Sequence, residues 1–183
     1  MNPKEGERYL DATAGFGGHF KIVLSKTKNY IDTVLVDRDK AAYDYLVAEY
    51  GKTGVRIFHR DFYSAAESLV QEGAKFDLIL ADLGVSSQHL DKASRGFSFM
   101  AEGPLDMRMD NRQLLTAATI VNEWEEADIA RILRVYGEEP KANKIARAIA
   151  KGRPIATTTE LANLVARTTG RWSGKNPATR TFQ

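Results

Sequence analysis

Four short apolar runs, each separated from the next by a stretch with helical spacing, most constrain what this chain can fold into. They lie at Tyr9-Leu10, ending on Asp11, and at Thr33-Val-Leu-Val-Asp37, Val55-Arg-Ile-Phe-His59 and Phe76-Asp-Leu-Ile-Leu-Ala-Asp82. Between them, Lys21 to Lys28, Lys40 to Tyr50 and Ala65 to Glu72 place apolar residues at intervals of three and four, the period of a helix packed on one face. Strand and helix in strict alternation predict an α/β fold with a parallel, doubly wound sheet, because each strand must be reached by a helical crossover. The fourth run is almost continuously apolar, as expected of a strand buried on both faces.

The first strand runs into Ala-Thr-Ala-Gly-Phe-Gly-Gly-His-Phe20, a glycine turn at the place where open α/β sheets hold ligands. A dinucleotide fingerprint wants glycine or alanine at the third position of Gly-x-Gly-x-x-Gly, and here that position is Phe20. What remains is Asp11 before the glycines and Asp37, twenty positions after Gly17, at the end of the second strand. A carboxylate there can accept hydrogen bonds from two ribose hydroxyls. Two acids and no phosphate grip suit S-adenosylmethionine, which carries a sulfonium, an ammonium and a ribose. A tight turn flanked by two solvated aspartates is the plainer alternative. With Asp37 at an exposed strand end, its loss is expected to weaken cofactor binding and leave the fold intact.

After Leu83 the pattern changes. Gly84 to Asp91 reads as a polar loop, Arg95 to Met109 has no clear period, and from Leu114 onward the pattern is helical, with segments at Glu125 to Val135, Lys144 to Lys151 and Thr159 to Thr169. Residues 1–92 are therefore expected to form an α/β core, 93–175 an all-helical insertion, and 176–183 the start of a return to the core. Charge is divided along the same line: 12 basic and 14 acidic residues up to Lys92, 14 basic and 10 acidic beyond it, and 11 basic against 3 acidic from Arg131 to Gln183. That imbalance fits a polyanion partner or a solvated basic helix face. The chain has no cysteine, no apolar signal core at its amino terminus and no run approaching a membrane span, so a soluble, cytoplasmic protein is expected. Oligomeric state is not legible in the pattern.

Several longer runs carry a resemblance. Asp82-Leu-Gly-Val-Ser-Ser87, Arg95-Gly-Phe-Ser-Phe-Met100, Gly103-Pro-Leu-Asp-Met-Arg-Met-Asp110, Tyr136-Gly-Glu-Glu139, Lys144-Ile-Ala-Arg-Ala-Ile149 and Pro177-Ala-Thr-Arg-Thr-Phe-Gln183 together resemble the RsmH (MraW) ribosomal RNA methyltransferases. The resemblance implies a Rossmann-like class I S-adenosylmethionine-dependent methyltransferase core, incomplete here, with an inserted helical domain that recognises substrate. It implies methyl transfer to N4 of a cytidine in the decoding region of the 16S rRNA, in the small ribosomal subunit. It also implies further segments at both ends, so the chain as written is expected to be an incomplete enzyme without measurable methyl transfer.

The family's cofactor contacts fall on Gly17, Gly18, His19, Asp37, Phe62 and Asp82. A further contact, a glutamine in the family, falls on His89 of Ser86-Ser-Gln-His-Leu-Asp91, where an imidazole offers one donor or acceptor. Phe62 would give adenine an apolar face or be a plain core aromatic, and His19 would touch cofactor or simply cap the turn. For the chemistry, Asp82 or the carbonyl oxygens of Leu83 and Gly84 would draw the hydrogens of the target amine out of plane. Arg95 and Arg108 would face RNA phosphate or cofactor in a loop that shapes the cytosine pocket, or that loop packs under the insertion on Phe97, Phe99 and Met100. Arg147, Lys151 and Arg153 are expected to contact RNA. No metal site is expected. A nicotinamide-dependent dehydrogenase and a non-catalytic RNA-binding module are the competing functions.

Overall fold

The computed structural model of the chain describes residues 1–170 and 176–183. Residues 171–175, the end of the stretch read as a helical insertion, lie outside the described residues. Two compact units are present, Met1–Gly84 with Met109–Asn111, and Val85–Arg108 with Arg112–Gln183.

The first unit runs β1 (Tyr9–Asp11), α1 (Gly18–Thr27), β2 (Thr33–Asp37), α2 (Lys40–Tyr50), β3 (Arg56–His59), α3 (Phe62–Gln71) and β4 (Leu78–Leu80). The strands form one parallel sheet in the order β3-β2-β1-β4, with Leu10 opposite Val34 on one side and Ile79 on the other. The pleat sends alternate side chains to opposite faces. Tyr9 and Leu35 pack with Phe20, Val23, Leu24 and Leu46 of α1 and α2, while Leu10, Val34 and Val36 pack with Ala65 and Leu69 of α3. Helices thus cover both faces, as the alternation of elements predicts. The chain winds outward from β1 through β2 to β3, then returns to place β4 on the other side of β1. That reversal makes the carboxyl ends of β1 and β4 a topological switch point.

Local capping explains where the helices begin. Asp39 accepts from Ala41 N at 2.8 Å and Asp61 accepts from Ser64 N at 2.9 Å, each supplying an acceptor to an open helix amino terminus. The Asp61 cap starts α3 at Phe62, three residues before the sequence-expected Ala65. α1 begins at Gly18, ahead of the Lys21 to Lys28 stretch that continues it, because Gly17 turns the chain with φ 77°, a left-handed conformation that glycine adopts without steric cost.

The fourth strand departs from expectation. It is three residues long, lies at the sheet edge, and leaves Ile79 61% exposed, so it is not buried on both faces. Among the described residues its only sheet partner is the three-residue β1, which limits the ladder to Leu78–Leu80. An apolar run specifies strand propensity but not how many neighbours the strand acquires.

The second unit contains α4 (Ser87–Asp91), a 3-10 turn (Ala93–Arg95), α5 (Ala117–Glu123), α6 (Glu126–Val135), α7 (Ala142–Gly152), α8 (Thr158–Thr169) and α9 (Thr179–Phe182). α4 lies inside the segment expected to be a polar loop. α5 to α8 surround a core that includes Leu105, Val121, Ile129, Leu133, Ile145, Ile149, Leu161 and Val165. α8 opens on a reciprocal cap in which Thr157 Oγ1 accepts from Glu160 N at 3.2 Å and Glu160 Oε2 accepts from Thr157 N at 3.1 Å. The aperiodic Arg95 to Met109 stretch folds by backbone crossing. A Cβ on Gly103 would come within 1.9 Å of Ala93 O, so only glycine fits there.

Candidate active site

The site of the first unit is built from the carboxyl end of β1 outward. Asp11 ends the strand with its carboxylate buried, 1% exposed. Tyr9 Oη donates to Asp11 Oδ2 at 2.8 Å, and Thr13 N donates to Asp11 Oδ1 at 3.3 Å. Burial pushes the Asp11 carboxyl above its ordinary pKa, against the opposing pull of these two hydrogen bonds. Asp11 is therefore not a solvated flank of the turn but an internal anchor for it.

Asp37 closes the turn from the second strand. Gly15 N donates to its Oδ2 at 2.7 Å and Asp39 N donates to its Oδ1 at 2.8 Å. Ala14 N also reaches Val36 O at 2.9 Å, so the glycine turn is stitched to the end of β2 through backbone and side chain. A carboxylate offers about four lone-pair sites. Two are taken, which leaves one on each oxygen for a further donor. Asp37 thus combines a structural role that its position in the sequence did not reveal with the remaining capacity to accept from a diol.

The rim of the turn carries His19 and Asp82. His19 Nδ1 lies 3.9 Å from Asp82 Oδ2, with both side chains mostly exposed. Asp82 is held from below, its N donating to Thr13 Oγ1 at 2.7 Å, while Ala12 N bonds Leu80 O at 2.8 Å. Leu83 and Gly84 follow in the open, Leu83 being 70% exposed. A Cβ built on Gly18 or on Gly84 meets nothing within 4 Å, so packing inside the protein does not require glycine at either position. Open space at these glycines is what a backbone approached by a ligand provides. Phe62, in the first turn of α3, is 48% exposed and hence not the plain core aromatic of the alternative reading.

The unit therefore brings together Gly17, Gly18, His19 and Asp37 around one turn, with Asp82 bonded to it and Leu83 and Gly84 leading away. Thr13 and Tyr9 had no place in the sequence-based site. A signal for them existed in the alternation of Tyr9, Asp11 and Thr13, polar groups at every second position entering a glycine turn.

His89 belongs to the second unit and is engaged there. Ser86 N donates to its Nδ1 at 3.1 Å, capping α4, and its ring lies 5.1 Å from that of the buried Phe97. The arginines of this unit also have structural work. Arg108 forks onto Asp106 through Nε at 2.9 Å and Nη2 at 2.7 Å and reaches Gln113 O at 2.8 Å, and this pairing holds the Asp106 carboxyl below its ordinary pKa. Arg95 Nη2 donates to Arg108 O at 2.9 Å. Of the loop's apolar residues Phe97 is buried and Phe99 packs on Phe182, whereas Met100 is exposed and forms no part of a core. Arg153 donates to Val121 O at 2.8 Å and to Trp124 O, satisfying the carboxyl end of α5. By contrast Lys144, Arg147 and Lys151 are exposed along one side of α7, at i, i+3 and i+7, with Arg147 Nε 3.5 Å from Glu126 Oε1. Among the described residues no group of His, Asp and Glu side chains is placed to hold a metal ion, and no helix is long and apolar enough to cross a membrane.

Comparison with known proteins gives matches along the chain. Residues 1–183 match the MraW methylase family. Among curated proteins, a "Ribosomal RNA small subunit methyltransferase H" of Trichodesmium erythraeum is 45% identical over 181 residues, 96% of this chain and 62% of that protein. Proteins of the same name from Trichormus variabilis, 44% identical over 98% of this chain and 59% of the relative, and from Acinetobacter baumannii, 45% identical over 96% and 58%, are similar to it as well. The chain spans about 60% of the length of the curated relatives it matches.

Proposed function

The chain belongs to the MraW methylase family, and from that premise we propose that its first unit binds S-adenosylmethionine in service of N4-methylation of a cytidine in the decoding region of 16S rRNA. The bound cofactor supplies a methyl group already activated by its sulfonium. The protein's part is to hold the reactants in line and keep water away. Gly17 and Gly18 admit the methionine portion, with His19 beside it. Asp37 accepts from the ribose diol through its two remaining lone-pair sites, and half-exposed Phe62 offers adenine an apolar face. The Asp82 carboxylate and the carbonyl oxygens of Leu83 and Gly84 accept from the hydrogens of the target amine. That raises the availability of a nitrogen lone pair otherwise delocalised into the ring.

The observation that carries this reading is the glycine turn at the switch point, closed by an aspartate whose two oxygens each keep one free acceptor site. Partners follow from the family and from charge. The curated relatives are named as small-subunit rRNA methyltransferases, and the basic side of α7 matches a phosphate backbone. Residues 93–175 serve as the substrate-recognition domain, residues 176–183 begin the return to the methyltransferase core, and the small ribosomal subunit is the particle approached. His89, at the position of the family's glutamine, belongs to the same proposal as a further cofactor contact.

Calorimetry tests the cofactor. S-adenosylhomocysteine should bind and NAD should not. Preference for NAD would favour a dehydrogenase, and RNA binding without either ligand would favour a plain RNA-binding module. This chain is expected to transfer no measurable methyl to small ribosomal subunits lacking the mark, and any label that is transferred should be released by nuclease digestion as N4-methylcytidine. Label in any other nucleoside would refute the target atom.

A further inference from the structure

We infer that Thr13 is a positioning residue for the methyl-donor site: its hydroxyl latches the segment Asp82–Gly84 onto the glycine turn and so fixes the Asp82 carboxylate beside His19. The role rests on the cofactor reading above and adds to it a residue that makes the site's two chain segments one structure.

Sheet pairing ends too early to hold Asp82. The β1–β4 ladder stops at Asp11 opposite Leu80, and the last backbone bond between the two segments is Ala12 N to Leu80 O at 2.8 Å. Residues 81–84 are all exposed, so burial does not fix them either. Among the described residues, the backbone of 81–84 has one hydrogen-bond partner in its own unit, Thr13 Oγ1, at 2.7 Å from Asp82 N. Thr13 is itself fixed from the core, since its N donates to the buried Asp11 carboxylate and that carboxylate is held by Tyr9 Oη. Tyr9, Asp11, Thr13 and Asp82 thus form a relay from the sheet interior to the rim. Valine at position 13 keeps the branched shape and removes the acceptor, whereas serine keeps the acceptor and removes a methyl.

Two measurements on the same chain separate the outcomes. The first is hydrogen exchange at the Asp82 amide without ligand. Thr13→Val should lose protection there, and Thr13→Ser should keep it. The second is calorimetry with S-adenosylhomocysteine, alongside thermal unfolding to establish that each variant is folded. One net hydrogen bond corresponds to about three- to tenfold in affinity, so Thr13→Val should bind that much more weakly and Thr13→Ser within about twofold of the parent. Equal affinity in the parent and Thr13→Val would overturn the inference, as would equal weakening in both variants, which would assign the effect to packing of the methyl. Failure of the parent to bind would refute the cofactor reading alone. The latch would then stand or fall on Asp82 exchange, and unchanged protection in Thr13→Val would overturn it.

Discussion

Replacement of Asp37 by alanine should weaken the fold as well as the site. Its carboxylate receives Gly15 N at 2.7 Å and Asp39 N at 2.8 Å, and both donors would lose their partner together. Hydrogen bonds to a charged group contribute about 1.5–3 kcal/mol each. Asp37 and Gly15 are half-buried and Asp39 is buried, so water can replace part of what is lost. A combined cost of about 2–4 kcal/mol is therefore expected, a large share of the roughly 5–15 kcal/mol that holds a typical domain together. Asparagine should recover little, because its amide keeps one acceptor and turns a donor toward the other N–H. Asp44→Ala is the control: it lies exposed on α2 and loses only an i,i+4 pair with Lys40, about 0.2–0.5 kcal/mol. Urea unfolding followed by circular dichroism reads the midpoint, and the slope reports whether the denatured state has changed. Affinity for S-adenosylhomocysteine is then compared where each variant is folded. A midpoint for Asp37→Ala equal to that of Asp44→Ala, at unchanged slope, would refute the closing role of Asp37 and restore the expectation of a purely ligand-facing carboxylate.

Three further outcomes follow from the charged side chains. Neutralising Lys144, Arg147 and Lys151 together should reduce RNA affinity and lower the magnitude of the log affinity against log salt slope by about 2 to 3 with little loss of stability, whereas Arg153→Gln should cost about 1–3 kcal/mol of stability through the freed Val121 and Trp124 carbonyls; an unchanged slope, or a fully stable Arg153→Gln, would contradict the respective assignment. The Arg8 guanidinium and backbone N hold the Asp77 carboxyl down to about 2; a folded pKa below the unfolded one contributes stability above the ordinary carboxylate range that is lost as pH falls toward 2, so carbon NMR should give a titration midpoint near 2 that returns toward the usual value in Arg8→Gln, and an ordinary midpoint in the parent chain would refute the clamp.

Much of this protein is written locally. The β2 and α2 boundaries, Thr33–Asp37 and Lys40–Tyr50, coincide with those read from the sequence, because period and capping residues act within a few positions of each other. Asp39, Asp61 and the Thr157 to Glu160 pair are caps for the same reason. The glycine turn itself was also legible, since strand, glycines and acid stand together in the chain. What the tertiary structure alone decided are relations between distant segments. Periodicity cannot say that Ile79 of β4 would be left exposed, since exposure is set by which elements pack on the strand. It cannot say that Asp37 turns back to Gly15, 22 positions earlier, that Arg153 is spent on the end of α5, or that Thr13 meets Asp82 across 69 positions. Each of these side chains carries a polar group that looks free for a ligand when read along the chain. In the fold a backbone group left over from another element needs that partner, and where the group is buried or half-buried, as at Gly15 and Val121, satisfying it takes precedence because an unpaired polar group there costs free energy.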